Sequence, residues 1–244
     1  MTTLLMYENI VAVNREAHRH WRLRPDAQPM AFARQLNAVL LAGTELPLAA
    51  LDYPCVFIEA DQGVTMAAVV GLRENENLMV NVGGHWAPHS YVPAFVRRYP
   101  FVLATEPGQD DMTVCLDEAF VGFNTEEGER LFDDEGRESP YFEQLKRFLL
   151  SYHQDMVLTT RFAARMVELD LLTPRSIDAE LDGQPLSLNG FMAVDEARLR
   201  ALSPELIHEL FTSGAMGWIH AHLLSLNNVS RLGVRLGERL SASR

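Results

Sequence analysis

The stretch Gly84-His85-Trp86-Ala87-Pro88-His89-Ser90-Tyr91-Val92-Pro93-Ala94-Phe95-Val96-Arg97-Arg98-Tyr99-Pro100-Phe101 gathers two histidines, two arginines and five aromatic rings between glycines and prolines. Guanidinium groups fork onto carboxylates and stack on aromatic faces, so this mixture suits a surface that grips a small anion, a glycan or a peptide. Trp86, His89, Tyr91, Arg97, Arg98 and Tyr99 are the candidate contact residues. Pro93 can open a short helix, and Pro100 stops it by biasing Tyr99 toward extended geometry. Neighbouring residues point about 100° apart on a helix and to opposite faces of a strand. At most one of Arg97 and Arg98 is therefore expected to touch an anion, with the other paired to an acid of the fold. Arginines among rings also build buried structural ion pairs, and that scaffold reading stands beside the binding one.

A second cluster is Arg15-Glu16-Ala17-His18-Arg19-His20-Trp21-Arg22-Leu23-Arg24. As a strand, it would put His18, His20 and Arg22 on one face, giving a His-x-His pair the reach to hold a metal once a third ligand arrives. With His85 or His89 and an acid such as Glu45, the set would suit non-haem iron, which takes two histidines and one carboxylate. As a helix, the run would make the two histidines diverge. His220 and His222 lie on different faces of the last helical pattern, and each is expected in the core with its polar tip outward. Asp133-Asp134-Glu135-Gly136 lacks the alternating ligands and closing glutamate of a calcium loop and reads as a solvated turn. Gly-x-Ser-x-Gly, His-Glu-x-x-His, Cys-x-x-Cys and phosphate-cradling glycine loops do not occur.

Residues 1–138 read as a mostly antiparallel sheet. Tyr53–Glu59 and Thr65–Leu72 flank Asp61-Gln62-Gly63 as a hairpin, Leu78–Val82 looks like a third strand, and Phe101–Ala104 with Met112–Leu116 supply two more. The loop rich in arginine and aromatic residues is then the long connection between strands, a place where function concentrates. Thr125 can cap a short helix through Phe132. From Ser139-Pro140, apolar residues Phe142, Leu145, Leu149, Tyr152 and Met156 recur by three and four, which predicts one long amphipathic helix or two shorter ones running toward Leu171. Ile177–Leu181, an Asp182-Gly183 turn and Leu186–Val194 form a hairpin, followed by helices capped by Asp195 and Ser203. The fold class is α+β, with an antiparallel N-terminal half and a helix-rich half over residues 139–244 packed on it as one unit.

The chain has 244 residues, 48% hydrophobic and 22% charged, enough for a proper core. A formal charge of −12 without a dense basic run argues against nucleic acid as the partner. Cys55 and Cys115 sit in separate apolar stretches and suit buried thiols in a reducing compartment. No stretch has the length of a membrane span and the start lacks a secretory pattern, so a cytoplasmic location is expected.

The run from Trp86 through Tyr91-Val92-Pro93-Ala94-Phe95-Val96-Arg97-Arg98-Tyr99-Pro100-Phe101 resembles the bacterial SapC family. So do Asn14 and His18, Tyr53-Pro54, Gly190-Phe191 with Val194-Asp195, Leu199 and Leu202, and His222-Leu223 with Ser225-Leu226. The likeness covers nearly the whole chain, and the first block is its most specific part. It implies a setting beside outer-membrane TonB-dependent receptors and flavin-dependent tryptophan halogenase-like proteins, and it brings no catalytic residues. A cytoplasmic accessory or ligand-binding protein of a cell-envelope or nutrient-uptake system is the expectation. The alternative is a metal-dependent oxygenase or peptide-modifying enzyme of the non-haem iron type. A structural surface-layer component would call for an export signal or repeats, neither of which the sequence shows.

Overall fold

The structure, a computed structural model, describes residues 6–24, 30–61, 63–105, 112–181 and 184–242. The strands in chain order are β1 (Ile10–Ala12), β2 (Arg22–Leu23), β3 (Ala38–Leu40), β4 (Cys55–Ala60), β5 (Gly63–Val69) and β6 (Phe101–Thr105). They continue with β7 (Met112–Asp117), β8 (Phe123–Asn124), β9 (Glu129–Arg130), β10 (Leu172–Leu181) and β11 (Gln184–Val194). The helices are α1 (Leu46–Ala49), α2 (Ala94–Arg97), α3 (Pro140–Glu168), α4 (Glu196–Arg200), α5 (Pro204–Thr212), α6 (Ala215–Ser225) and α7 (Val229–Ser241). This is an α+β fold with antiparallel sheets and a helix-rich C-terminal region.

The hairpin β4–β5 is central to a five-stranded sheet of order β10-β11-β4-β5-β3, antiparallel throughout. Its strands are buried over Cys55–Phe57 and Met66–Val69, and they read as continuous apolar runs because both faces are covered. β1-β7-β6 and β8-β2-β9 form two smaller sheets. The hairpin expected over residues 177–194 is present as β10–β11, with an irregularity between Arg175 and Ile177; its Asp182-Gly183 turn lies outside the described residues.

Helix α3 is one continuous 29-residue helix. Ser139 Oγ accepts the Phe142 N–H at 3.1 Å, Pro140 takes the first helical position, and Asp170 closes the end with a φ of 52°. Its apolar stripe joins two cores: Phe142 and Leu149 pack with Phe101 and Leu116, whereas Tyr152, Phe162 and Met166 pack with the β4–β5 hairpin and the C-terminal helices. In the second of these cores Phe57 sits between α3 and α6, 5.8 Å from the Phe162 ring and 5.0 Å from that of His222.

Three sequence expectations are corrected, and each time an asparagine side chain is the cause. Leu78–Val82 is not a third strand: Asn77 and Asn81 side chains accept the N–H groups of Met79 and His85, and only the single bridge between Val80 and Trp86 remains. Residues 125–132 form no helix, because Asn124 accepts from Glu126 and Glu127 in a turn that leads into β9. Residues 15–20 are turns rather than a strand, since Asn14 Oδ1 accepts from Glu16 and Ala17. An Asx turn uses backbone donors that a ladder or a helix would otherwise employ.

Candidate functional site

The connection from β5 to β6 runs over residues 70–100 and holds α2, a single turn entered through Pro93 at φ −57° and ψ 144° and left through a cis Tyr99-Pro100 bond. That turn sends its two arginines different ways. Arg97 is half-exposed: its Nε donates to the Val92 carbonyl at 3.0 Å, Nη2 to the Tyr91 oxygen at 3.3 Å, and its charge lies over the Tyr91 and Phe148 rings at 5.8 and 5.2 Å. The acid that Arg97 faces is Glu45, at 3.9 Å.

Glu45 is buried at the entrance to α1 and uses both oxygens. Oε2 accepts the Ala42 N–H at 2.9 Å; Oε1 accepts the Tyr91 O–H at 2.8 Å and the Ala94 N–H at 2.7 Å, the latter a free donor of the first turn of α2. Burial, and then the bond to Glu45, push the Tyr91 phenol up to about 12, so it remains a proton donor. Tyr91, Arg97 and Glu45 form one wall of an open cleft of about 270 Å³, and Phe148, Tyr152 and Asp155 of α3 form the other.

Arg98 turns inward and is only 9% exposed. Its guanidinium carbon lies 4.6 Å from the Phe95 ring centre and 5.5 Å from that of Tyr152. Among the described residues no carboxylate lies within 4.0 Å of it, and its Nε and Nη2 have no hydrogen-bond partner. The Tyr152 hydroxyl is likewise buried and unpartnered, and burial raises its pKa above the ordinary phenol value. Both side chains line a second cavity, of about 130 Å³, on the other flank of Tyr152.

The other residues singled out in the loop are distributed between wall and surface. Trp86 is buried, its indole N–H donating to the Tyr53 oxygen at 2.9 Å, and the Tyr53 hydroxyl donates to the Tyr91 carbonyl. Tyr99 stacks on Phe32 at 4.0 Å and bonds to Asp117 at 3.1 Å. His85 and His89 are exposed, the latter with a φ of 60°.

His18 and His20 do not share a strand face. His18 is buried edge-on to Trp21; its Nδ1 accepts the Asn14 N–H at 2.9 Å, which places the ring proton on Nε2, 3.6 Å from Glu118. His20 is exposed. Among the described residues no group of three or more His, Cys, Asp or Glu side chains is placed to hold a metal ion. Asp133 holds the 133–137 turn, accepting from Glu135 and Arg137. His222 is in the core as expected, but its ring nitrogens do not turn outward and are bonded inside it to Val194 and Cys55; His220 is exposed. The sequence reading missed Phe148 and Asp155 and counted Tyr152 only as part of a helical stripe. The signal for Tyr152 was a phenol hydroxyl inside an otherwise apolar stripe of α3.

With this geometry in hand, the class is an α+β protein whose central loop presents two differently committed arginines to one long helix. The SapC family model matches residues 13–232, most of the chain, and the protein belongs to that family. Comparison with curated proteins and with solved structures returns no match. Among the described residues no helix is long and apolar enough to cross a membrane.

Proposed function

We propose that this is a non-catalytic ligand-binding protein, an accessory of a bacterial cell-envelope or nutrient-uptake system that works beside TonB-dependent receptors. The observation that supports it is the outer cleft. Arg97 reaches solvent there while Tyr91, Phe148 and Glu45 hold it in place, so little side-chain freedom is lost when a ligand arrives. Asp155 across the cleft adds a carboxylate, and a site with both kinds of group suits a small zwitterion such as a dipeptide, with its ammonium at one end and its carboxylate at the other, better than a simple anion. Of the other candidates read from the sequence, Trp86, His89, Arg98 and Tyr99 do not line this cleft; Trp86 supports its wall through Tyr53, which donates to the Tyr91 carbonyl. The accessory setting is what membership of the family implies. A cytoplasmic location fits Cys55 and Cys115, both free and buried, with burial pushing the Cys55 thiol up to about 12.

The test is thermal unfolding of the full chain in the presence of dipeptides, short glycans and dicarboxylates, repeated with Arg97→Ala. A ligand that binds only the native state raises its midpoint. Stabilisation by a dipeptide that disappears in a folded Arg97→Ala protein supports the reading. An Arg97→Ala chain that no longer folds assigns the arginine to the scaffold and removes this site.

A further inference from the structure

Two of the three guanidinium nitrogens of Arg98 are buried without an acceptor, and among the described residues no carboxylate lies within 4.0 Å of it; the groups its charge acts on include the phenols of Tyr7 and Tyr152. Buried donors in stable folds are satisfied almost without exception, so each orphan calls for a reason. Tyr152 presents a second orphan beside the first, 5.5 Å from ring centre to guanidinium. These two polar groups line the same small cavity, and Leu40, Leu103, Leu149 and Met156 supply its apolar wall.

We propose that this chamber between α2 and α3 binds a compact monocarboxylate, forked by the Arg98 guanidinium and capped by the Tyr152 hydroxyl, with a short aliphatic tail against the four apolar side chains. Three features select that class. The planar guanidinium matches a carboxylate in two parallel hydrogen bonds, and the phenol adds a third donor to an oxygen left over. One cation offsets one negative charge; a sulfate or a phosphate dianion would bring a second charge that no second arginine or lysine of the lining meets. At about 130 Å³ the chamber is far smaller than the roughly 300–1,000 Å³ of pockets for drug-sized ligands, so the tail has only a few carbons. His153, half-buried, is the chamber's other polar side chain. The site goes beyond the outer cleft: the two cavities share Tyr152, but Arg97 lines only the outer one and Arg98 only the inner one.

The experiment is calorimetric titration of the full chain with sodium propionate and sodium butyrate, with sodium sulfate and phosphate at matched ionic strength, alongside thermal unfolding. Saturable propionate or butyrate binding is expected, with a matching rise in midpoint. Tyr152→Phe is expected to weaken it about tenfold, the loss of one hydrogen bond to a charged group. Arg98→Met is expected to abolish binding and, in the absence of carboxylate, to unfold no earlier than wild type, because it removes an uncompensated buried charge. Should Arg98→Met fail to fold, Arg98→Lys keeps the charge but not the fork and must still lose affinity. Absence of saturable binding by either carboxylate overturns the proposal and leaves a chamber filled by water only. Equal binding of sulfate overturns the ligand class. Binding that survives Arg98→Met and vanishes in Arg97→Ala moves the carboxylate to the outer cleft, overturning the chamber while supporting the site proposed above.

Discussion

Glu45 and Tyr91 are joined by a 2.8 Å hydrogen bond across 46 residues of sequence, and the same carboxylate oxygen takes the Ala94 N–H while its twin takes that of Ala42. One buried acid thus ties the entrance of α1 to the start of α2 and sets where Arg97 stands. Glu45→Gln tests this without changing size. An amide has one acceptor oxygen, so its NH2 must face either the Ala42 N–H or the Tyr91 and Ala94 donors, donor against donor. A loss of about 1–3 kcal/mol is expected in urea unfolding, the usual cost of an unsatisfied buried donor. A variant as stable as wild type would show that Glu45 is not the hub.

Trp86 extends the same wall through Tyr53, to whose oxygen its indole N–H donates at 2.9 Å. Trp86→Phe keeps an aromatic ring in the core and deletes that donor. Urea unfolding should show a loss of about 1–2 kcal/mol from the hydrogen bond and the smaller ring together. An unchanged midpoint would mean that the bond contributes nothing and that the loop is held from elsewhere.

What was legible in the sequence was local. The Ser139-Pro140 cap and the three-four spacing through Met156 determine α3 without help from distant residues, and the β4–β5 hairpin follows from two apolar runs around Gly63. The divergence of Arg97 and Arg98 was readable because one residue of helix is always about 100°. Their partners were not. Glu45 and Tyr152 reach the loop from 52 and 54 positions away, and nothing local to Arg98 says that it faces a helix rather than an acid. Asn14, Asn77, Asn81 and Asn124 misled for another reason: propensity counts an asparagine as mildly unfavourable in a strand or helix, whereas each here takes one or two backbone donors out of the competition.

Gly43 is where the backbone before α1 presses on α6. A Cβ there would lie 2.3–2.7 Å from three ring atoms of Trp218, and the Gly43 N–H is already fixed to Thr159 Oγ1 of α3 at 2.7 Å, so the backbone cannot simply retreat. Gly43→Ala should cost about 1–3 kcal/mol, as overpacking does. Trp218→Leu in the same chain should return much of that loss, giving a clear interaction energy in a double-mutant cycle. Strict additivity of the two single losses would refute the clash.

His222 carries the acid sensitivity of the core. Its Nε2 accepts the Val194 N–H at 3.1 Å, so Nδ1 bears the proton and donates to the Cys55 carbonyl at 2.6 Å; a second proton would set Nε2–H against Val194 N–H. Burial pushes the imidazole down to about 4, opposed only in part by the Cys55 bond. Between about pH 6.5 and pH 4 the unfolded chain therefore binds a proton that the folded one does not. The stability due to neutral His222 is full above about 6.5 and is lost as pH falls through that window, by about 3 kcal/mol at its lower end. Folding free energy measured by urea from pH 7.5 to 4.5 should fall more steeply for wild type than for His222→Gln, whose side chain does not titrate. Parallel curves would mean that the acid loss belongs to other groups and that the His222 ring accommodates its second proton.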